Sequence, residues 1–101
     1  MRNIIKRDGT VRPYEPEKII TAMGKAFRET ASREEMERLL RAVEKEMEHK
    51  DGGWAVEDIQ DAVERVLMEN GRYEEAKRYI LYRHRRNEQR AARRAMAQAA
   101  G

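Results

Sequence analysis

The sequence contains no cysteine and only one tryptophan, one phenylalanine and two prolines in 101 residues. Without cysteine, disulfide frameworks, thiolate zinc sites and thiol catalysis are all excluded. No apolar run approaches the length that spans a membrane, and the N-terminus lacks the apolar core of a signal peptide. These absences predict a cytoplasmic protein with no membrane partner.

Side chains suited to catalysis are also scarce. His49 is expected at a helix end, where a positive charge is favourable, and His84 lies among arginines, whose charges disfavour a metal ion there. Adjacent acids such as Glu34 and Glu35 point in different directions on a helix. The sequence has no P-loop and no dinucleotide fingerprint. We therefore expect no enzyme activity, no catalytic residue and no metal site.

Charged residues are abundant and unevenly placed. They make up 41% of the chain, yet the formal net charge is only +3, so the general attraction to nucleic acid is weak. Between residues 77 and 94 one acid, Glu88, stands against the cations Lys77, Arg78, Arg83, Arg85, Arg86, Arg90, Arg93 and Arg94. This pattern is typical of a solvated helical face, but it also suits an anionic partner, and both interpretations stay open.

The first residues predict a β-hairpin. Residues 4–5 read as a strand, and Asp8 followed by Gly9 is a strong turn signal because glycine accepts the positive φ of such turns. Residues 11–14 form the return strand. Pro13 has no N–H to donate, so this strand should be an edge strand or should end there.

Helix signals follow the hairpin. Pro16 suits the first turn of a helix, and Ser32 with Glu35 makes a capping box for the next one. Residues 51–53 and 70–71 carry glycines that should stop the second and third helices. Helical spacing predicts inward-facing residues at Ile19, Ile20, Met23, Ala26, Phe27, Met36, Leu39, Leu40, Val43, Met47, Ile59, Val63, Val66, Leu67, Ala76, Tyr79, Ile80 and Arg83.

These elements predict an α+β fold. The N-terminal hairpin forms a small sheet, for which the short apolar stretch 54–56 is a candidate third strand, and four helices accompany it. Residues 1–90 are expected to form the domain. Residues 91–101 form a basic, alanine-rich tail with high helix propensity and almost nothing to bury, so we expect it to be helical or frayed, and exposed.

The hairpin and the first helix together suggest an anion site. Lys6 and Arg7 lie where a strand meets a turn, and Lys18 lies at a helix start whose free N–H groups add positive potential. Three cations from two elements suit a polyphosphate better than a single carboxylate. Pairing of Lys6 and Arg7 with acids across the strands is the structural alternative.

The motifs "IIKRDGTVRPYEPEKI", "VEDIQDAVERVLMENG" and "YEEAKRYILYRHRR" resemble, in order and spacing, the ATP-cone family. This is the regulatory nucleotide-binding domain of many ribonucleotide reductases and of the repressor of their genes. The resemblance implies a small three-stranded sheet that caps a four-helix bundle, and a pocket for ATP or dATP beneath the hairpin. Mg²⁺ is a possible companion of the nucleotide, because nucleotide triphosphates usually bring it. The resemblance also implies that the nucleotide-binding residues are Ile5, Lys6, Arg7, Lys18, Val56, Gln60, Tyr82, Arg85 and Arg86.

Two positions depart from the family pattern. Arg12 stands where a glutamate often reads the adenine amino group, and arginine cannot accept that hydrogen bond. Gln60 stands where some members have histidine. The zinc ribbon of the repressor and the catalytic domain of a reductase are both missing from the sequence, so we expect an isolated regulatory domain: truncated, free-standing or engineered.

The leading hypothesis is therefore an adenine-nucleotide sensor that controls the activity or oligomerisation of a ribonucleotide reductase or a related protein. Its partners would be a reductase catalytic domain or further copies of itself. The alternative is a small basic helical domain that binds nucleic acid or an acidic protein surface through its C-terminal helix.

Overall fold

The computed structural model describes residues 2–28, 30–50 and 53–100. It confirms the predicted α+β fold, with one three-stranded sheet and four helices. In chain order the elements are β1 (Asn3–Ile5), β2 (Val11–Pro13), α1 (Pro16–Phe27), α2 (Arg33–Met47), β3 (Trp54–Ala55), α3 (Val56–Glu69) and α4 (Tyr73–Ala100).

The sheet has the order β2-β1-β3. β1 pairs antiparallel with β2 and parallel with β3, so that Ile4 lies opposite both Arg12 and Trp54. Gly9 has a φ of +85° in the hairpin turn, as the turn signal predicts. β2 ends at Pro13 on the outer edge of the sheet, where the missing N–H costs no ladder bond.

The hairpin is fixed to the helices through aromatic and charged contacts. The Tyr14 hydroxyl donates a 2.7 Å hydrogen bond to Glu44 on α2. Its ring meets Trp54 edge to face, with 5.2 Å between centroids, and the Arg2 guanidinium lies 4.1 Å from the centre of the Trp54 ring. These contacts hold the sheet against one end of the bundle.

Helix ends follow the predicted caps in most places. The Ser32 hydroxyl accepts a hydrogen bond from the Glu35 N–H, but the Glu35 carboxylate pairs with Arg72 and so joins α2 to the α3–α4 turn. Gly71 has a φ of +73° just after α3. α2 ends at Met47. Two residues of the predicted stop signal, Asp51 and Gly52, lie outside the described residues.

The core lies between the four helices and contains most of the predicted inward residues. Met36 and Ile19 are half-buried at its edge. Ile80 is 39% exposed, because Ala76 and Tyr79 take the inward face of α4, which packs against α1 and α3. The buried apolar residues are Ile20, Met23, Ala26, Phe27, Leu39, Leu40, Val43, Met47, Trp54, Ile59, Ala62, Val63, Val66, Leu67, Ala76 and Tyr79.

α4 is much longer than the other helices. It runs without a break from Tyr73 to Ala100 and so continues through residue 90, where the tail was predicted to begin. Residues 91–99 are exposed, as expected for a segment with little to bury. The division into a domain over 1–90 and a separate tail stays a prediction.

Candidate functional site

A large cavity lies beneath the hairpin, between the sheet and helices α1, α3 and α4. Its volume is about 870 Å³. From the hairpin Ile4, Lys6 and Arg12 line it, because alternate side chains of a strand and the facing residue of its partner point to one side of a sheet. The sheet thus gives the cavity an apolar roof with cations at its edge.

α1 forms one wall of this cavity. Lys18 stands in the first turn of the helix, 78% exposed, with its Nζ 3.4 Å from a Glu15 carboxylate oxygen. Ile19 and Ala22 bring apolar surface, and Glu17 adds a second acid at the rim. The ion pair of Lys18 is weak because water screens it, so the ammonium group is available to a ligand anion.

The first turns of α3 form a second wall. Val56 and Gln60, four residues apart, share one helical face with Ile59. The side-chain oxygen of Gln60 is buried and has no hydrogen-bond partner among the described residues. A buried polar atom without a partner costs stability. In a cavity wall it is an acceptor that a bound ligand can satisfy, and the same amide carries two donors.

α4 closes the cavity on a third side. Its lining side chains recur every three or four residues: Tyr79, Tyr82, Arg83, Arg86, Asn87 and Arg90. The Arg83 guanidinium donates to Asp61 at 2.8 Å and to Glu64 at 3.0 Å, so its charge is balanced by α3. Tyr82 presents an aromatic ring that lies 5.7 Å from the Lys25 ammonium group.

Tyr79 behaves as part of the wall rather than as an acid or a base. Burial raises the pKa of its phenol well above the usual value, although the nearby positive charge of Arg83 opposes the shift. The hydroxyl therefore stays protonated at neutral pH, and it can donate a hydrogen bond without carrying charge.

The structure brings six of the nine predicted nucleotide-binding residues to this cavity: Lys6, Lys18, Val56, Gln60, Tyr82 and Arg86. The other three lie elsewhere. Ile5 points to the opposite face of β1, where its methyl group lies against Gly53. Arg7 lies in the turn and pairs with Glu57 at 3.0 Å. Arg85 is exposed on α4, since neighbouring helical residues point about 100° apart.

Several lining residues are not among the predicted binding residues. Arg12 appears in the sequence only as a departure from the family pattern, and Tyr79 and Arg83 only as structural positions. Asn87 and Arg90 lie four residues beyond Arg83 and Arg86, the helical spacing that keeps side chains near the same face. That spacing was the available signal for them.

The cavity combines two kinds of surface. Ile4, Val56, Ile59 and Tyr82 offer apolar and aromatic contact, while Lys6, Lys18 and Arg86 offer positive charge. No acid of the described ranges lies within 4.0 Å of the charged nitrogens of Lys6 or Arg86. A flat heterocycle that carries a polyphosphate matches both surfaces at once.

Two structural absences hold for residues 2–28, 30–50 and 53–100. They contain no group of three or more His, Cys, Asp or Glu side chains placed to hold a metal ion. No helix in these ranges is both long and apolar enough to cross a membrane.

Comparisons with known proteins place the chain in a family. Residues 2–88 match the ATP cone domain family. A ribonucleoside-diphosphate reductase subunit alpha of Chlamydia pneumoniae is 42% identical over 99 residues, which cover 87% of this chain and 10% of that protein. The vitamin B12-dependent ribonucleoside-diphosphate reductase of Thermoplasma acidophilum is 39% identical over 93 residues, covering 85% of this chain and 12% of that protein. The chain thus spans about a tenth of the curated relatives it matches.

Proposed function

The chain belongs to the ATP-cone family, a family of regulatory rather than catalytic domains, and we propose that its cavity beneath the hairpin binds ATP and dATP as a regulatory signal. The observation that carries this proposal is the presence, in one cavity, of a buried acceptor and of two cations, Lys6 and Arg86, none of which has a partner within the described ranges. We propose that this nucleotide binding takes place in the cytoplasm.

In this proposal the cations hold the phosphates. Lys6 from the hairpin, Lys18 from α1 and Arg86 from α4 approach the cavity from three elements. Such charge-assisted hydrogen bonds each contribute on the order of 1.5–3 kcal/mol when shielded from water. Mg²⁺ would arrive with the triphosphate and be held by phosphate oxygens together with water, since this ion usually keeps several waters in its octahedral shell.

The base would lie against Val56 and the ring of Tyr82. Arg12 lines the cavity, but its guanidinium has no acceptor for an adenine amino group. Gln60 has one, and its oxygen is buried without a partner among the described residues. Gln60 therefore takes over, in this proposal, the recognition that a glutamate at position 12 would provide.

Regulation requires that two ligands differ in their effect on two states of the protein. ATP and dATP differ only at the 2′ position of the ribose. We propose that this difference changes how the helices pack against a partner, either a reductase catalytic domain or another copy of this chain. The reductase relatives support this choice of partner.

A thermal melt with and without nucleotide tests the proposal. With Mg²⁺ present, ATP or dATP at about 100 times its dissociation constant should stabilise the fold by about 2.7 kcal/mol. A domain of this size would then melt about 10–20 °C higher. GTP at the same concentration should shift the midpoint much less. A melting midpoint that no nucleotide moves would contradict the proposal.

Gln60→Leu isolates the base contact. It removes an acceptor that should be worth about 0.5–1.5 kcal/mol to the bound adenine, so the affinity for ATP should fall roughly two- to twelvefold. Without nucleotide, the variant should melt at the same temperature or higher, because an unsatisfied buried atom is gone. Titration calorimetry and a melt measure the two effects.

Gln89→Leu, on the exposed surface of α4, is the matched control and should leave ATP binding unchanged. Gln60→Glu keeps an acceptor and should lose less affinity than Gln60→Leu does. Equal ATP affinities for wild type and Gln60→Leu would rule out a role for Gln60 in base recognition.

The nucleic-acid alternative receives less support from the placement of charges on α4. Arg83 is paired with acids of α3, and Arg86 and Arg90 face the cavity. Arg85 and Arg93 remain on the outer surface. A surface for duplex DNA needs several cations that reach phosphates together, so we favour the nucleotide.

A further inference from the structure

A second, smaller cleft of about 190 Å³ lies between the hairpin turn and the C-terminal half of α4. The hairpin contributes Lys6, Arg7 and Asp8 to this cleft. α4 contributes Arg90 and Arg94, which stand four residues apart on one helical face. Four cations and one acid thus surround this space. We call it the basic cleft.

The basic cleft adjoins the cavity beneath the hairpin. Lys6, Val56, Asn87 and Arg90 line both spaces. A ligand whose charged end reaches Lys6 in the larger cavity is therefore beside the basic cleft as well. Arg94 lines only the basic cleft and not the larger cavity.

Most of the positive charge in the basic cleft has no acid partner in the part of the chain that the structure describes. Arg7 pairs with Glu57 at 3.0 Å. Within the described ranges no acid approaches the charged nitrogens of Lys6, Arg90 or Arg94 within salt-bridge distance. Three cations that share a small space repel each other, and an anion placed among them relieves that repulsion.

Asp8 does not cancel this charge. Its carboxylate accepts a 2.9 Å hydrogen bond from the Thr10 N–H and is thereby committed to the turn. Hydrogen bonds from Thr10, with help from the charges of Lys6 and Arg94, hold the pKa of Asp8 below its usual value. It stays a single anion among four cations, and the basic cleft keeps a net positive charge.

We propose that the basic cleft binds the terminal phosphate end of the nucleotide whose base and sugar occupy the larger cavity. This inference rests on the proposed function and adds two residues, Arg90 and Arg94, to the phosphate-binding set. Both lie beyond residues 2–88, the part that matches the family. The long α4 thus supplies a contact that the matched region alone does not contain.

The consequence is a preference set by the number of phosphates. A triphosphate reaches the basic cleft, a diphosphate reaches it in part, and a monophosphate ends in the larger cavity. The chain should therefore bind ATP more tightly than ADP, and ADP more tightly than AMP. The preference should depend on Arg90 and Arg94.

Titration calorimetry of the full chain with ATP, ADP and AMP tests this assignment. Arg90→Gln with Arg94→Gln removes two charges from exposed helix positions, and glutamine has nearly the helix propensity of arginine. The double variant should lose tenfold or more in affinity for ATP and less than threefold for AMP, so the ATP-to-AMP affinity ratio collapses. Circular dichroism checks that both proteins have the same helix content.

Arg85→Gln with Arg93→Gln is the matched control, since it removes the same charge from α4 at positions that line neither space. Its ATP-to-AMP affinity ratio should equal that of wild type. An unchanged ratio in the Arg90→Gln, Arg94→Gln variant, in a chain that binds ATP, overturns the inference alone. A wild-type chain that binds none of the three nucleotides contradicts the proposed function itself.

Inorganic tripolyphosphate separates the nucleotide's own phosphates from an independent anion. If the basic cleft takes the end of the bound nucleotide, tripolyphosphate competes with ATP in calorimetry. Simultaneous, non-competing binding of both ligands would make the basic cleft a separate anion site and would overturn the assignment.

Discussion

Lys6→Ala lowers the affinity for ATP by roughly 10- to 100-fold in this account, because it removes a charge-assisted contact worth about 1.5–3 kcal/mol. Among the described residues of the hairpin, Lys6 is the cation that lines both the cavity beneath the hairpin and the basic cleft. It also has no acid partner among the described residues. Its ammonium group is therefore available to a ligand, since it forms no ion pair with the described acids of the fold.

The same reasoning predicts that Lys6→Ala leaves the unbound protein nearly as stable as before. Lys6 is exposed, and exposed substitutions away from special features change stability by about 0.5 kcal/mol or less. Lys45→Ala, an exposed lysine of α2 that lines neither space, serves as the control. Calorimetry that gives the two variants the same ATP affinity would show that Lys6 does not bind phosphate.

Arg72→Ala should lower the free energy of unfolding by about 3 kcal/mol, since it leaves carboxylates without their partner in a poorly solvated place. Arg72 lies in the turn between α3 and α4. It pairs with Glu35 on α2 and with Glu75 on α4, and its guanidinium lies 5.4 Å from the centre of the Phe27 ring on α1. One side chain thus connects all three of these helices.

The expected loss in the free energy of unfolding is large because Glu75 is only 8% exposed. Arg65→Ala is the matched control: it breaks an ion pair with Glu46 in which the Arg65 side chain is 46% exposed. Exposed pairs contribute about 1 kcal/mol or less. Urea denaturation of both variants gives the comparison. Equal losses for Arg72→Ala and Arg65→Ala would mean that the Arg72 network is no more than a surface pair.

Much of the fold is predictable because its signals are local. The hairpin follows from Asp8 and Gly9, whose turn needs a positive φ, and the observed φ of Gly9 meets that need. The start of α1 follows from Pro16, and the start of α2 follows from Ser32. Helical spacing places most of the core, since each helix buries one stripe.

The errors arise where several elements meet. The spacing of α4 allows Ile80 on the inward face, yet α1 and α3 cover only the narrower stripe of Ala76 and Tyr79. Likewise, Glu35 has the right position for a capping box, but its carboxylate pairs with Arg72 from a distant turn. Neither outcome can be predicted from a short window of sequence.

In the candidate site, too, some residues can be predicted from local signals and others depend on how distant elements meet. Lys6, Lys18 and Gln60 were expected at the cavity, and all three line it. Arg7 and Ile5 were expected with them, but one residue along a strand or turn reverses the direction of a side chain. The basic cleft depends on α4 returning past the hairpin turn, a contact between residues more than 80 positions apart that no local pattern indicates.

The most direct test of the central claim is an NMR titration of the ¹⁵N-labelled chain with Mg²⁺ and ATP. The account predicts chemical-shift changes at the amides and side chains around one space, namely at Lys6, Lys18, Val56, Gln60 and Tyr82. Changes confined to the outer surface of α4, around Arg85 and Arg93, would contradict it. Such a result would mean that ATP binds this protein as a non-specific anion on a basic helix.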